Sequence, residues 1–145
     1  MAVTGKLYYP WLQHALLGES NLAGTTAANI RVLLCTTDYA YNQTHTHVSH
    51  VTNEISGTGY TAGGQTLTTP AVTNATGTTK FSADNAQWTT ATISAYKAVI
   101  YSRLGADSAS WPLIGYLDFG ETMSSSAGTF TIAWSTAGIL TITTD

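Results

Sequence analysis

Polar and apolar residues alternate along much of the chain, and where alternation stops the apolar residues run together. Trp88 to Ile93 alternates, and Tyr96 to Leu104 places Tyr96, Ala98, Ile100 and Ser102 on one face and Lys97, Val99, Tyr101 and Arg103 on the other. That two-residue period is the signature of strands with distinct faces. Asn29 to Thr36 is instead continuously rich in Ile, Val and Leu, which predicts a central strand buried on both faces. Gln65–Ala75 and Thr78–Ala83 flank Thr76-Gly77 and predict a hairpin, with Leu67, Val72 and Phe81 facing inward; Pro70 makes its first arm an edge or a bulged strand. Leu113–Phe119, Thr129–Trp134 and Ile139–Thr143 complete the strand set, separated by Gly120 to Gly128 and by Thr136-Ala137-Gly138. Only Trp11, Leu12, Ala15 and Leu16 fall at helical spacing, behind Pro10 and ahead of Gly18, which predicts one short helix.

Between the central strand and the hairpin lies a glycine-punctuated run, Asn53-Glu54-Ile55-Ser56-Gly57-Thr58-Gly59-Tyr60-Thr61-Ala62-Gly63-Gly64. Glycine tolerates positive φ, so the backbone can reverse there. It is not a phosphate loop, since no Lys-Ser/Thr follows the glycines and no helix pattern stands behind them. Leu22 to Ala28 and Thr37 to Ser49 read as loops, with one helical turn expected within His47 to Glu54. The whole predicts an all-β protein: an antiparallel β-sandwich or jelly-roll-like barrel with one short N-terminal helix, residues 1–28 forming an arm and 29–145 a single β domain.

Composition narrows the function. Of 145 residues only 9% are charged, about a third of the usual share, while 43% are hydrophobic. A surface covered by Ser, Thr, Asn and Gly loses little on desolvation, which favours lasting contacts with other subunits. Five Lys and Arg residues against eight Asp and Glu give a net charge of −3, so neither nucleic acid nor an anionic membrane is an expected partner. Cys35 is the single cysteine and sits in the apolar run, where it reads as a small buried hydrophobe. With no basic-then-apolar leader and no membrane-spanning run, the expected product is soluble and cytosolic.

Read in order, six segments carry a resemblance: Leu12-x-x-Ala15-Leu16-Leu17-Gly18-Glu19, Asn29-Ile30-Arg31-Val32-Leu33-Leu34, Asn53 to Thr61, Ala98-Val99-Ile100-Tyr101, Pro112 to Gly120 and Phe130-Thr131-Ile132-Ala133-Trp134. Together they resemble a family of small tailed-bacteriophage virion structural proteins, regarded as capsid decoration, cement or head-fibre components. The resemblance implies a virion protein made in the host cytoplasm and placed on the capsid exterior, with the major capsid protein as partner. Symmetric shells favour rings at their axes, so a homotrimer or another small ring is expected. The expected interface residues are Tyr8, Tyr9, Trp11, Leu12, Leu16 and Trp111; Trp111 departs from the family pattern.

Three groups of residues are candidates for chemistry. His45, His47 and His50, with Asp38 nearby, form the best metal candidate, but no further ligand marks the loop and neither metal nor cofactor is expected. No Gly-x-Ser-x-Gly elbow is present, and Asp118-Phe119-Gly120 lacks the other kinase elements. Asp118 and Glu121, the closest acidic pair once Asp84 and Asp107 are set aside, are the candidate glycosidase couple, a role set against Asp118 simply bonding the nearby backbone at a strand end. No enzyme is expected. Loop aromatics, Tyr8, Tyr9, Trp11, Tyr39, Tyr41, Tyr60 and Trp111, give the alternative: a tail or fibre component contacting host glycan or protein.

Overall fold

A computed structural model describes residues 3–22 and 29–144. The fold is all-β, with two antiparallel sheets and one short α-helix. The chain order is β1 (Thr4–Leu7), α1 (Trp11–Leu16), β2 (Ile30–Cys35), β3 (Gln65–Thr66), β4 (Ala71–Ala75), β5 (Thr78–Ser82), β6 (Ala86–Ser102), β7 (Leu113–Ile132) and β8 (Leu140–Thr143), with 3-10 turns at Val48–His50 and Ser108–Ser110. The larger sheet runs β1-β7-β6-β2-β3 and the smaller β4-β5-β8. Of the loop expected over Leu22 to Ala28, residues 23–28 lie outside the described residues.

The centre of the larger sheet is buried on both faces, as the continuous apolar run of β2 requires. Ile30, Val32 and Leu34 join Ala98 and Ile100 of β6 in one core, with Phe81 of β5, Trp88 and Phe130. The opposite side chains, Leu33, Cys35, Val99 and Tyr101, join Tyr8, Tyr39, Leu113 and Tyr116 in a second core. The 36–51 segment covers this second face. Lys97 Nζ donates to the carbonyls of Thr37 and Tyr39, Tyr41 stacks on Tyr116 at 4.7 Å, and the Tyr41 hydroxyl donates to the Leu7 carbonyl.

Two long strands replace four of the expected ones. β6 runs unbroken through the expected gap between Ile93 and Tyr96, and β7 runs through Gly120 to Gly128. The turn-like residues there mark bulges. Lys97 pairs with Asp118 and Ala95 with Met123, so four β7 residues stand opposite Tyr96 alone, whose hydroxyl donates to the Gly120 carbonyl. Further along, Thr90 (φ 51°) and Ala127 (φ 47°) each take one extra residue into the left-handed region, on opposite strands, and the register is restored.

The Thr76-Gly77 hairpin forms, with Ala75 opposite Thr78 and both turn residues at positive φ, but its first arm is shorter than expected: only Ala71–Ala75 pairs with β5, while Gln65 and Thr66 pair with Val32 and Arg31 of β2 in the larger sheet. Leu67 and Phe81 are buried, but Val72 is 43% exposed: β4 is the outer strand of the small sheet, so its side chain has no neighbour on one side. In the glycine run, Gly64 (φ 70°) passes so close to β2 that a Cβ would meet the Val32 carbonyl oxygen at 1.9 Å. Arg31 seals this contact by donating to the carbonyls of Gly63 and Gly64, and the Tyr101 hydroxyl donates to Gly63. Glu54 accepts from Gly63 N–H and from the Tyr60 hydroxyl, which itself accepts from Leu34 N–H.

The segment expected as an arm is built into the domain. β1 pairs with β7 from Thr4–Asp118 to Leu7–Gly115, Tyr8 packs in the second core and Trp11 in the first. A six-residue helix is too short to persist alone. This one is held by Trp11 and closed at its C-terminus: Gly18 (φ 77°) N–H donates to the Ala15 carbonyl and Glu19 N–H to that of His14, the paired bonds of a Schellman end.

Candidate functional site

Three features bear on function: the outer face of α1, the histidine cluster beneath it, and the carboxylates of β7. The α1 face follows from helical spacing. Trp11 and Ala15 point to the core, so Leu12 and Leu16, four residues apart, point away from it, with Tyr9 just ahead. Tyr9 is 68% exposed, Leu12 51%, Leu16 81% and Leu17 64%. Among the described residues, six of the nine exposed large hydrophobics, Val3, Leu7, Tyr9, Leu12, Leu16 and Leu17, fall in the first 17 positions. Scattered single apolar residues need no explanation, but a concentration on one short segment does.

The expected interface residues divide accordingly. Tyr9, Leu12 and Leu16 are on the surface. Tyr8 and Trp11 are buried, 1% and 4% exposed, and so act as anchors of the segment rather than as contact residues. Tyr8 donates to or accepts from the Tyr39 hydroxyl at 2.7 Å, and burial pushes the Tyr8 hydroxyl far above its ordinary value. Trp111 is half-buried: it stacks on Tyr101, carries the Arg103 guanidinium over its ring at 4.8 Å, and donates its Nε1–H to the Gly105 carbonyl. Of the other loop aromatics, Tyr39 is buried, Tyr60 stacks on Trp88, and Tyr41 is engaged by Tyr8, Tyr116 and Lys6.

All four histidines of the chain meet beside α1, a gathering that the sequence shows only for the three at 45–50. The His14 and His47 rings lie edge to face at 5.1 Å, and those of His45 and His50 at 5.2 Å. His14 Nδ1 pairs with Glu19 Oε2 at 2.5 Å. Burial and the neighbouring histidines hold His45 and His47 below the usual imidazole range. Among the described residues no group of three or more His, Cys, Asp or Glu has the geometry to hold a metal ion. His45 and His50 border an open groove with Lys6, Asp38 and Tyr41.

Asp118 accepts from the Tyr116 hydroxyl and from Gly120 N–H, so it fixes the wide bulge of β7. Glu121 instead borders an apolar groove with Phe119, Met123, Phe130 and Trp134. Cys35 is buried, and desolvation with the nearby Glu54 charge pushes its thiol up to about 12.

No protein-family model, curated protein or solved structure matches the chain.

Proposed function

We propose that this chain is a bacteriophage virion structural protein that decorates the capsid exterior, bridging and stabilising neighbouring major capsid subunits. The observation that carries the reading is the outward face of α1. Tyr9, Leu12, Leu16 and Leu17 are held in the open on a segment whose other side, Tyr8 and Trp11, is locked into the two cores. A rigid apolar patch on a weakly charged surface is what a permanent subunit contact needs, because little ordering entropy and little desolvation oppose it. Specific interfaces cover about 800 Å² per partner, so the patch would form the apolar centre of a larger contact and Ser- and Thr-rich strands its rim. Repetition over a symmetric shell multiplies a modest contact, and self-association as a homotrimer or another small ring would present several patches at once.

The alternative, a tail or fibre component gripping host glycan or protein, draws on loop aromatics. Most of those are engaged within the fold, which leaves Tyr9 as the strongly exposed one and favours decoration.

Deleting residues 1–17 would remove β1, Tyr8 and Trp11 from the fold as well as the patch, so substitution is the cleaner test. Leu12→Asp with Leu16→Asp should leave stability within about 0.5 kcal/mol per site, as exposed positions do, while abolishing loading onto capsids that lack the protein. Loading equal to that of the unaltered chain would refute the assignment of the patch.

A further inference from the structure

We propose that the four histidines form an acid-sensitive latch, which holds the 42–52 loop against α1 at neutral pH and loosens that contact below about pH 6. The proposal stands apart from the capsid assignment and holds whichever partner the α1 face meets.

The geometry requires unprotonated imidazoles. The 3-10 turn at Val48–His50 is spanned by backbone bonds, His50 N–H to the His47 carbonyl at 3.0 Å and Val51 N–H to the Val48 carbonyl at 2.8 Å, and is flanked by a box in which the His50 side chain accepts from His47 N–H while His47 Nδ1 meets Thr46 Oγ1 at 2.8 Å. His50 Nδ1 also lies 3.3 Å from Thr46 N, so two backbone donors converge on its lone pair. An imidazolium has no lone pair and donates from both nitrogens, so protonation sets N–H against N–H at His50 Nδ1 and loosens the Thr46–His47 entry to the turn. Capping is normally done by Ser, Thr, Asp or Asn, which accept at any physiological pH; here the same task falls to groups that lose the ability in mild acid.

The turn is coupled to α1 through His14. Its ring packs edge-on against His47, and Glu19 at the Schellman end holds its Nδ1. Charges facing the cluster from each packed element are few. α1 and its end supply Glu19, β1 supplies Lys6, and the 36–40 segment supplies Asp38, the last two bordering the groove of His45 and His50. From the 108–110 turn comes Asp107, whose carboxylate is occupied by its own Ala109 N–H. Lys6 and Asp38 offset each other, which leaves Glu19 as the one carboxylate beside the His14–His47 pair. The second and later protons meet uncompensated like charge about 5 Å away.

The sign follows. His45 and His47 are held below the ordinary imidazole value, so the released state binds protons more readily than the latched one. The latch is intact above about pH 6.5 and weakens as pH falls through that value.

The test is hydrogen exchange on the full chain, with protection corrected for intrinsic chemistry, in steps between about pH 7.5 and about pH 5. Protection at Leu17, Glu19, His50 and Val51 should fall about tenfold, the equivalent of one pK unit of coupling, while the amides of β6 stay unchanged. His47→Asn with His50→Asn keeps acceptors at both capping positions without titrating, and should abolish the change. Glu19→Gln removes the one compensating charge and should move the midpoint to higher pH. Equal protection at both pH values, an equal loss in β6, an unchanged response in the double Asn variant, or an unmoved midpoint in Glu19→Gln would each overturn the latch.

Discussion

Gly64→Ala should destabilise the protein far beyond the ordinary cost of a left-handed alanine, and Gly18→Ala supplies the control. The two glycines share a backbone conformation, with φ of 70° and 77°, so the intrinsic penalty is the same at both, about 1–2 kcal/mol. They differ in space. A Cβ at Gly18 meets nothing within 4 Å, whereas at Gly64 it would fall 1.9 Å from the Val32 carbonyl oxygen and 2.6 Å from Leu33 Cα. Both obstacles are backbone atoms of β2, a strand buried on both faces, so the glycine run must move instead. Moving it pulls Gly63 and Gly64 off Arg31, Tyr101 and Glu54, contacts of 2.5 to 3.1 Å. Hydrogen bonds to charged groups contribute about 1.5–3 kcal/mol each. Losing one or two brings the total for Gly64→Ala to about 4 kcal/mol or more, against 1–2 for Gly18→Ala. At about 2–4 °C per kcal/mol for a chain of this size, melting should drop by about 8–16 °C for the former and about 2–8 °C for the latter. Urea titration followed by tryptophan fluorescence gives both values directly. A difference below about 1 kcal/mol between the two variants would refute the close approach of the glycine run to β2.

Other consequences can be measured on the isolated chain. Tyr8→Phe strands the buried Tyr39 hydroxyl and should cost about 1–2 kcal/mol, with Tyr8→Phe/Tyr39→Phe costing less than the sum of the singles in a double-mutant cycle; strict additivity would deny the bond. Burial raises the hydroxyls of Tyr8, Tyr39, Tyr60, Tyr101 and Tyr116 and the Cys35 thiol, Tyr39 to about 12 and Cys35 to about 12. The unfolded chain therefore gives up these protons first, so stability should hold below about pH 8.5 and fall steadily above about pH 10; melting temperatures flat to pH 11 would contradict it. For the same reason Cys35 should resist a disulfide reagent at about pH 8 in the folded protein and react at once in concentrated guanidinium.

What the sequence makes legible here is local. Pro10 and Gly18 bracket α1, Thr76-Gly77 makes its hairpin, and the unbroken apolar run of β2 marks a doubly buried strand. Each signal lies within about ten residues of the structure it directs. The long strands were hidden because Gly120 and Ala127-Gly128, which read as a connection, serve as bulges; only pairing with the partner strand distinguishes the two. Tyr8 and Tyr9 are adjacent and chemically alike, yet one is buried and the other 68% exposed, a difference set by β1 docking on β7. The histidine cluster was half visible. His45, His47 and His50 are neighbours in sequence, but His14 joins them only because Tyr9 N–H bonds the Gln43 carbonyl and draws the start of α1 onto that loop. Likewise, the exposed side of α1 could be listed from helical spacing, but which side was exposed depended on where Trp11 found a core.

The measurement that reaches furthest is a cryo-EM map of the mature phage particle proposed to carry this chain. The account predicts density for the two sheets on the outer capsid surface, with Leu12 and Leu16 pressed against the major capsid protein. Density confined to the tail tip, or a particle lacking the chain altogether, would contradict it.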